Sequence, residues 1–356
     1  MENPFFSVIM PVYGVESFLE KAICSVLSQT FTDFEVILVN DCSPDRSAEI
    51  CRRFSDKYDN ITTVDHKKNL GLSSARNTGF AASKGKYVWF MDSDDYVEPH
   101  LLQAVYESLK ENEADVVVFG CNENYYNQKG EVYKTYKLKP ERAFCKNENE
   151  VHKKVIELEL GSFYGYAWNK IYSSQIIRRK QLSFRDVVLI EDIDFNIRFF
   201  DSVKRLNVLD GTFYHYAKRG TTSLTSKFVP KYYQVHRERI SMLYRQQENW
   251  NNAGEYEKSV LACIYTRYIF SALSRNCDKR ANMTHRERKQ WIKEVFSDPL
   301  FCDLIPFAEP FGTVLKIMTA FLKNKYVNLC LFSGRLIFFI QNNMKAFFVR
   351  IKQERG

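Results

Sequence analysis

The sequence predicts an α/β protein, a mostly parallel central sheet flanked by helices, followed by a C-terminal region built of helices alone. Three observations point to it. Short apolar runs alternate with amphipathic stretches through about residue 120, the βαβα order that pairs strands in parallel and puts helices on both faces of a sheet. The run Tyr87-Val88-Trp89-Phe90-Met91 leads straight into Asp92-Ser93-Asp94-Asp95, so three carboxylates crowd the carboxyl end of a buried strand, where open α/β sheets bind ligands. Beyond Lys227 the pattern is helical to the end, with breaks expected at Pro299, Pro306 and Pro310.

Residues 7–10 read as a first strand stopped by Pro11, and Ser17-Phe18-Leu19-Glu20 as a capping box opening a helix. Leu19, Ala22, Ile23, Val26 and Leu27 stripe its buried face. Residues 34–39 form a second strand, and the polar turn 40–45 gives Asp45 as N-cap of a helix buried through Cys51, Phe54 and Tyr58. Strands at 61–64, 87–91 and 115–119 alternate with helices at 73–83 and 99–110. Polar loops after Met10, Val39 and Met91 then converge on one crevice. Residues 121–150 are a polar excursion with a hairpin around Lys129-Gly130. Helical periodicity resumes near Val151, and the acidic pair Glu191-Asp192 precedes the segment 193–200.

A chain of 356 residues with 45% hydrophobic content fills one large domain with an appendage, or two domains. Nine cysteines, an odd number without a CxxC pair or a Cys/His cluster, indicate reduced thiols in a cytosolic setting rather than a disulfide framework or zinc site. Met1-Glu2-Asn3-Pro4 lacks the basic and apolar regions of a signal peptide. The apolar run 326–340 is broken by Asn328, Ser333, Gly334 and Arg335, short of the roughly 18 residues of a transmembrane helix.

The net charge of +8 is concentrated in residues 311–356, which hold eight Lys/Arg against Glu354. Phe311, Leu315, Met318, Phe332, Leu336, Phe339 and Phe347 interleave with these cations. That pattern suits amphipathic helices resting on an anionic cytoplasmic leaflet, or alternatively a helical cap or homo-oligomer surface with a solvated basic face. A nucleic-acid binder is excluded on charge: the crevice is acidic, and the positive charge lies in an aromatic tail.

A phosphate site built on glycines would need G-x-G-x-x-G or a P-loop after the first strand, and Met10-Pro11-Val12-Tyr13-Gly14 offers neither. The loops offer instead an aromatic, Tyr13, to stack on a base and an acid, Asp41, to accept from a base or ribose. Asp92 and Asp94 repel one another unless a cation is present. A nucleoside diphosphate with a divalent cation suits this set.

Four segments now carry a resemblance: residues 7–13 (SVIMPVY), 39–47 (VNDCSPDRS), 69–79 (NLGLSSARNTG) and 91–95 (MDSDD). In this order and spacing they resemble the family 2 inverting glycosyltransferases, of the nucleotide-sugar fold called GT-A, over about residues 5–225. The resemblance implies a catalytic domain over 1–225, with a nucleotide half to about 120 and an acceptor half over 121–225, and a basic helical region over 226–356. It implies that Pro11 and Tyr13 line the base pocket, Asp41 binds the uracil edge and Arg76 lies by base and diphosphate. Asp92 would face the ribose with Ser93 beside it, and Asp94 would hold Mg or Mn. Residues 187–195 (VVLIEDIDF) resemble the family's Glu-Asp motif, in which Asp192 would be the base that deprotonates the acceptor hydroxyl.

Glu191, Asp95 and Trp168 fall on the acceptor side by the same resemblance. Trp168 would stack on a sugar ring or sit in the core. Residues 214–223 resemble a loop closing over the diphosphate through Arg219 or Ser223, with His215 a third metal ligand or a structural histidine. Asn40-Asp41-Cys42-Ser43 stands where the family commonly has Asp-Asp-Gly-Ser, and Gly14 where it often has Asn. The expected function is inverting, metal-dependent transfer of a hexose or hexosamine from a UDP-sugar to a growing glycan, lipid-linked at the cytoplasmic membrane. A sugar-1-phosphate nucleotidyltransferase would need a glycine-rich basic loop after the first strand. A catalytically silent scaffold subunit would not need Asp92, Asp94 and Asp192 intact.

Overall fold

The computed structural model describes residues 3–187, 189–219 and 228–343. The chain divides into two compact units, Met1–Lys227 and Phe228–Gly356. The first unit runs β1 (Phe6–Val12), α1 (Glu16–Leu27), β2 (Phe34–Asn40), α2 (Ser47–Lys57), β3 (Ile61–Asp65), α3 (Leu72–Ala82), β4 (Tyr87–Phe90), β5 (Tyr96–Val97) and α4 (Leu101–Glu111). It continues with β6 (Val116–Tyr126), β7 (Val132–Leu138), β8 (Ala143–Cys145), α5 (Glu148–Leu160), β9 (Lys170–Ser173), α6 (Ser174–Arg179), α7 (Glu191–Phe200) and β10 (Leu206–Lys218).

Ten strands form one sheet with the order β3-β2-β1-β4-β9-β6-β10-β5, β7 pairing with β6 and β8 with β10. β1 lies parallel between β2 and β4, with Ile9 opposite Ile37 on one side and Phe90 on the other. The carboxyl ends of β2, β1 and β4 therefore leave one edge together, and their loops meet there. β9 runs antiparallel between β4 and β6 and joins the first four strands to the parallel β6–β10 pair. Val8, Met10, Val36, Leu38, Trp89, Val117 and Phe119 build a core against α1, α2 and α4.

Three local expectations are corrected. β1 continues through Pro11 to Val12, because beyond Ile9 it pairs with β2 alone and one side of the strand needs no backbone donor. Ser17 makes no capping box. The start of α1 is held from a distance, Asp45 Oδ2 accepting from Glu16 N–H at 2.9 Å and Ser47 Oγ from Val15 N–H at 3.2 Å. Asp45 Oδ1 also accepts from Ser47 N–H, so one side chain serves the first turns of two helices. The strand expected at 115–119 extends to Tyr126, pairing with β7 across a turn closed by Asn127 and Glu131.

The second unit holds α8 (Tyr232–Asn249), α9 (Glu255–Arg275), α10 (His285–Ser297), α11 (Pro299–Leu304), α12 (Thr313–Lys323) and α13 (Val327–Asn343). α9 contributes Leu261, Tyr265, Ile269 and Leu273 to its core and packs against α8 and α13. The break expected at Pro299 falls between α10 and α11, and Pro299 opens the second of them: Asp298 accepts from Leu300 N–H at 3.0 Å, and proline suits the first helical position. No described helix is long and apolar enough to cross a membrane.

Candidate active site

At the sheet edge Asp41, just beyond β2, is buried. Its Oδ1 accepts from Leu70 N–H at 2.8 Å and His66 Nδ1 at 2.7 Å, and its Oδ2 from Gly71 N–H at 2.8 Å. His66 Nε2 accepts in turn from the Thr78 hydroxyl at 2.9 Å, so Asp41 ties the β3–α3 loop to the crevice. Ser93 is buried and donates to the Pro11 carbonyl at 2.6 Å, clamping the acidic loop onto β1. Tyr13 is exposed at the mouth. Cys42 has φ 57°, a left-handed conformation in which glycine is the usual occupant.

α3 carries the link between the acidic loop and the segment before α7. Gly79 lets it lie against β1, since a Cβ there would come within 2.3 Å of Ile9 Cγ2. From the same helix Asn77 exchanges two hydrogen bonds with the Phe184 backbone, and Ser73 donates to the Arg185 carbonyl at 2.9 Å. Between them Arg76, 1% exposed, directs Nη2 to Asp92 Oδ1 at 3.1 Å and Nη1 to Asp192 Oδ1. One guanidinium therefore spans two carboxylates that lie a hundred residues apart in sequence. Asp192 Oδ2 accepts from Ala167 N–H at 3.0 Å.

The loop that supplies Ala167 is fastened by Lys170, a residue the sequence did not single out for this role. Lys170 is fully buried and donates to the carbonyls of Phe163 and Tyr166 at 2.6 Å each and to Asn169 Oδ1 at 2.8 Å. Burial lowers its ammonium to about 7, and among the described residues no carboxylate bonds it directly. A lysine opening a short apolar strand, in Asn169-Lys170-Ile171-Tyr172, was the available signal. His66 had none in the sequence.

Charge crowding marks the cluster. Burial pushes the Asp92 carboxyl up to about 6, with Arg76 opposing and Asp94 and Asp192 adding to the rise. Burial likewise raises Asp94, against the pull of Arg219. Glu191, held by burial and by the adjacent Asp192, rises to about 7. Carboxylates placed so that ionising them is costly favour a positive partner.

For Asp94 that partner in the described structure is Arg219, whose Nη1 lies 3.1 Å from Oδ2 while Nη2 donates to the Asp94 carbonyl. Among the described residues no group of three or more His, Cys, Asp and Glu side chains could hold a metal. Asp92 and Asp94 still fit Mg or Mn, which are commonly held by one or two carboxylates with substrate phosphates and water supplying the rest.

Three of the residues singled out in the sequence are enclosed by protein partners in the described structure. Trp168, 3% exposed, is stacked on Tyr214 at 4.4 Å and on Tyr166 at 5.0 Å, so it belongs to an aromatic core and offers no face to a sugar. Asp95 is buried with both oxygens engaged, by the Tyr214 hydroxyl and by Ala217 N–H, each at 2.8 Å, and fastens β10 to the acidic loop. His215 is stacked on Tyr96, donates to Glu98 at 2.6 Å and accepts from Asn124 at 3.0 Å, the contacts of a structural histidine. Ser223 lies outside the described residues.

Fold and edge together define the class. The described chain matches S. aureus TarS 1-349 in complex with UDP-GlcNAc at a TM-score of 0.63 and 20% identity, over 95% of this chain and 91% of that one, and the UDP complex at 0.62. It is the GT-A nucleotide-sugar fold. Residues 7–170 match the sequence profile described as glycosyl transferase family 2. Over 226 residues it is 39% identical to the glycosyltransferase EpsJ of Bacillus subtilis (strain 168), covering 62% of this chain and 63% of EpsJ. Over 119 residues it is 45% identical to the minor teichoic acid biosynthesis protein GgaB of the same organism, covering 32% of this chain and 13% of GgaB. The chain thus spans less than two thirds of either relative's length.

Proposed function

We propose that the first unit is an inverting, metal-dependent glycosyltransferase that moves a hexose or N-acetylhexosamine from a UDP-sugar to a hydroxyl of a cell-surface glycan acceptor. The observation that carries this reading is Arg76, which holds the acid of the donor-side loop, Asp92, and the candidate base, Asp192, on one guanidinium. UDP-GlcNAc bound to a protein of the same fold supports the donor class, and the teichoic acid role in the name of GgaB supports the acceptor class. Nine free cysteines support a reducing, cytoplasmic compartment.

In inversion the acceptor oxygen bonds the anomeric carbon from the face opposite the diphosphate. The bond from that carbon to the phosphate oxygen breaks, and its electron pair leaves with the diphosphate. The acceptor proton goes to the base. Each oxygen of Asp192 accepts one protein hydrogen bond, and a carboxylate has about four lone-pair sites, so sites remain for that proton. Arg76 and Ala167 N–H fix the carboxylate's orientation. Asp94, together with Asp92, would hold the divalent cation, which would supply positive charge to the diphosphate side. Tyr13 and the Pro11 segment would flank the nucleobase, and Arg219 would meet the phosphates.

The test is Asp192→Asn. Turnover with UDP-GlcNAc and a glycan acceptor should fall by about 10²–10⁴-fold, while calorimetric affinity for UDP-GlcNAc stays at the wild-type value. Normal turnover in the variant would remove Asp192 from the mechanism.

A further inference from the structure

The second unit turns large apolar side chains outward. On α13 Leu329, Phe332, Leu336 and Phe339, spaced three and four residues apart, form a single stripe, and each is between 41% and 61% exposed. On α12 Val314 and Ile317 are exposed with half-buried Met318 and Phe321 beside them. Phe311, just before α12, is 87% exposed. What these helices bury is mostly small: Thr319 and Leu322 on α12, and Cys330, Leu331, Ser333 and Gly334 on α13. A helix in contact with water on one side ordinarily does the reverse.

The packing holds α13 in this orientation. A Cβ on Gly334 would lie 2.8 Å from Leu273 Cβ and 2.9 Å from its backbone carbon, so the small face of α13 sits directly on α9. Rolling the helix to bury the phenylalanines would break that close approach. Contiguous apolar surface of this kind marks an interaction site.

Charge selects the partner. Residues 311–343 contain Lys316, Lys323, Lys325 and Arg335 and no Asp or Glu, and all four cations are exposed. A second copy would set like charges against like charges. An anionic bilayer satisfies both features, aromatic and aliphatic groups entering the headgroup–acyl boundary while the ammonium groups meet lipid phosphates. No described helix can span, so the contact lies on the surface. We propose that the exposed face of α12 and α13 seats the second unit on anionic phospholipid membrane.

The experiment is flotation of the full chain with vesicles of phosphatidylglycerol and phosphatidylcholine in equal parts, and with phosphatidylcholine alone, without donor or acceptor. The outcome is thereby independent of the transfer reaction. The protein should float with the anionic vesicles only. A Phe332→Ser, Phe339→Ser double variant should lose roughly tenfold or more in partitioning with its melting temperature unchanged. A Lys316→Gln, Lys323→Gln, Lys325→Gln variant, altering only exposed ammonium groups, should lose at least about tenfold and decides the matter if the aromatic variant misfolds. The proposal is overturned by wild-type protein that stays with the soluble fraction, by variants that float equally well, or by a dimer in sedimentation velocity that the phenylalanine changes dissolve without any vesicle binding.

Discussion

In the first unit Arg76, Lys170, Asp41 and Asp95 lie inside while Phe119, Trp89 and Tyr214 fill the space around them; in the second, Thr319, Ser333 and Gly334 are inside and Phe332 and Phe339 face out. The difference shows that residue type does not decide burial by itself. A charge goes inside where partners wait for it: two carboxylates for Arg76, three oxygens for Lys170. A phenylalanine stays outside where the neighbouring helix has room only for a small face.

The comparison is sharpest for one residue type in both settings. Phe119→Ala, at a fully buried position of the sheet core, should cost about 3–5 kcal/mol in denaturant unfolding. Arg76→Met should cost about 3 kcal/mol, because Asp92 and Asp192 are then left crowded without a cation. A variant as stable as wild type would mean the bridge holds nothing together.

The same crowding sets a pH dependence. Glu191 at about 7 and Asp92 at about 6 stand above their ordinary values of 4.5 and 3.8. The folded state therefore keeps protons that the unfolded chain has released, and these groups lower stability as pH rises from about 4 to about 7. The loss is read as a lower melting temperature at about pH 7.5 than at about pH 5. Glu191→Gln should flatten the slope, and so should saturating Mg or Mn if the cation binds the cluster. A slope unchanged by either would separate the acids from the stability of the site. Smallest of all is Phe332→Ala, expected to change stability by no more than about 0.5 kcal/mol; a cost near that of Phe119→Ala would show its ring to be packed against something in solution.

Alternation of apolar and amphipathic segments sufficed to place β1, α1, β2, α2, β3, α3 and β4 in their order, since a period of two or of 3.6 is a local property of the chain. The acidic loop at the end of β4 was legible for the same reason: Asp92 to Asp95 follow the strand directly, and parallel strands send their carboxyl ends to one edge. The pairing of β6 with β10, more than eighty residues on, was not, because strand pairing is chosen among distant segments.

Individual roles divide along the same line. Types and spacings determined that an aspartate at 92, an arginine at 76 and an aspartate at 192 were present. Only the folded chain decided that one guanidinium joins them, that Trp168 and Asp95 are enclosed by Tyr214, that His215 serves Glu98, and that α13 faces outward with its phenylalanines. Periodicity says which side of a helix or strand is apolar. Which neighbour covers that side, and which polar atom finds a partner, depends on groups brought together from far along the chain.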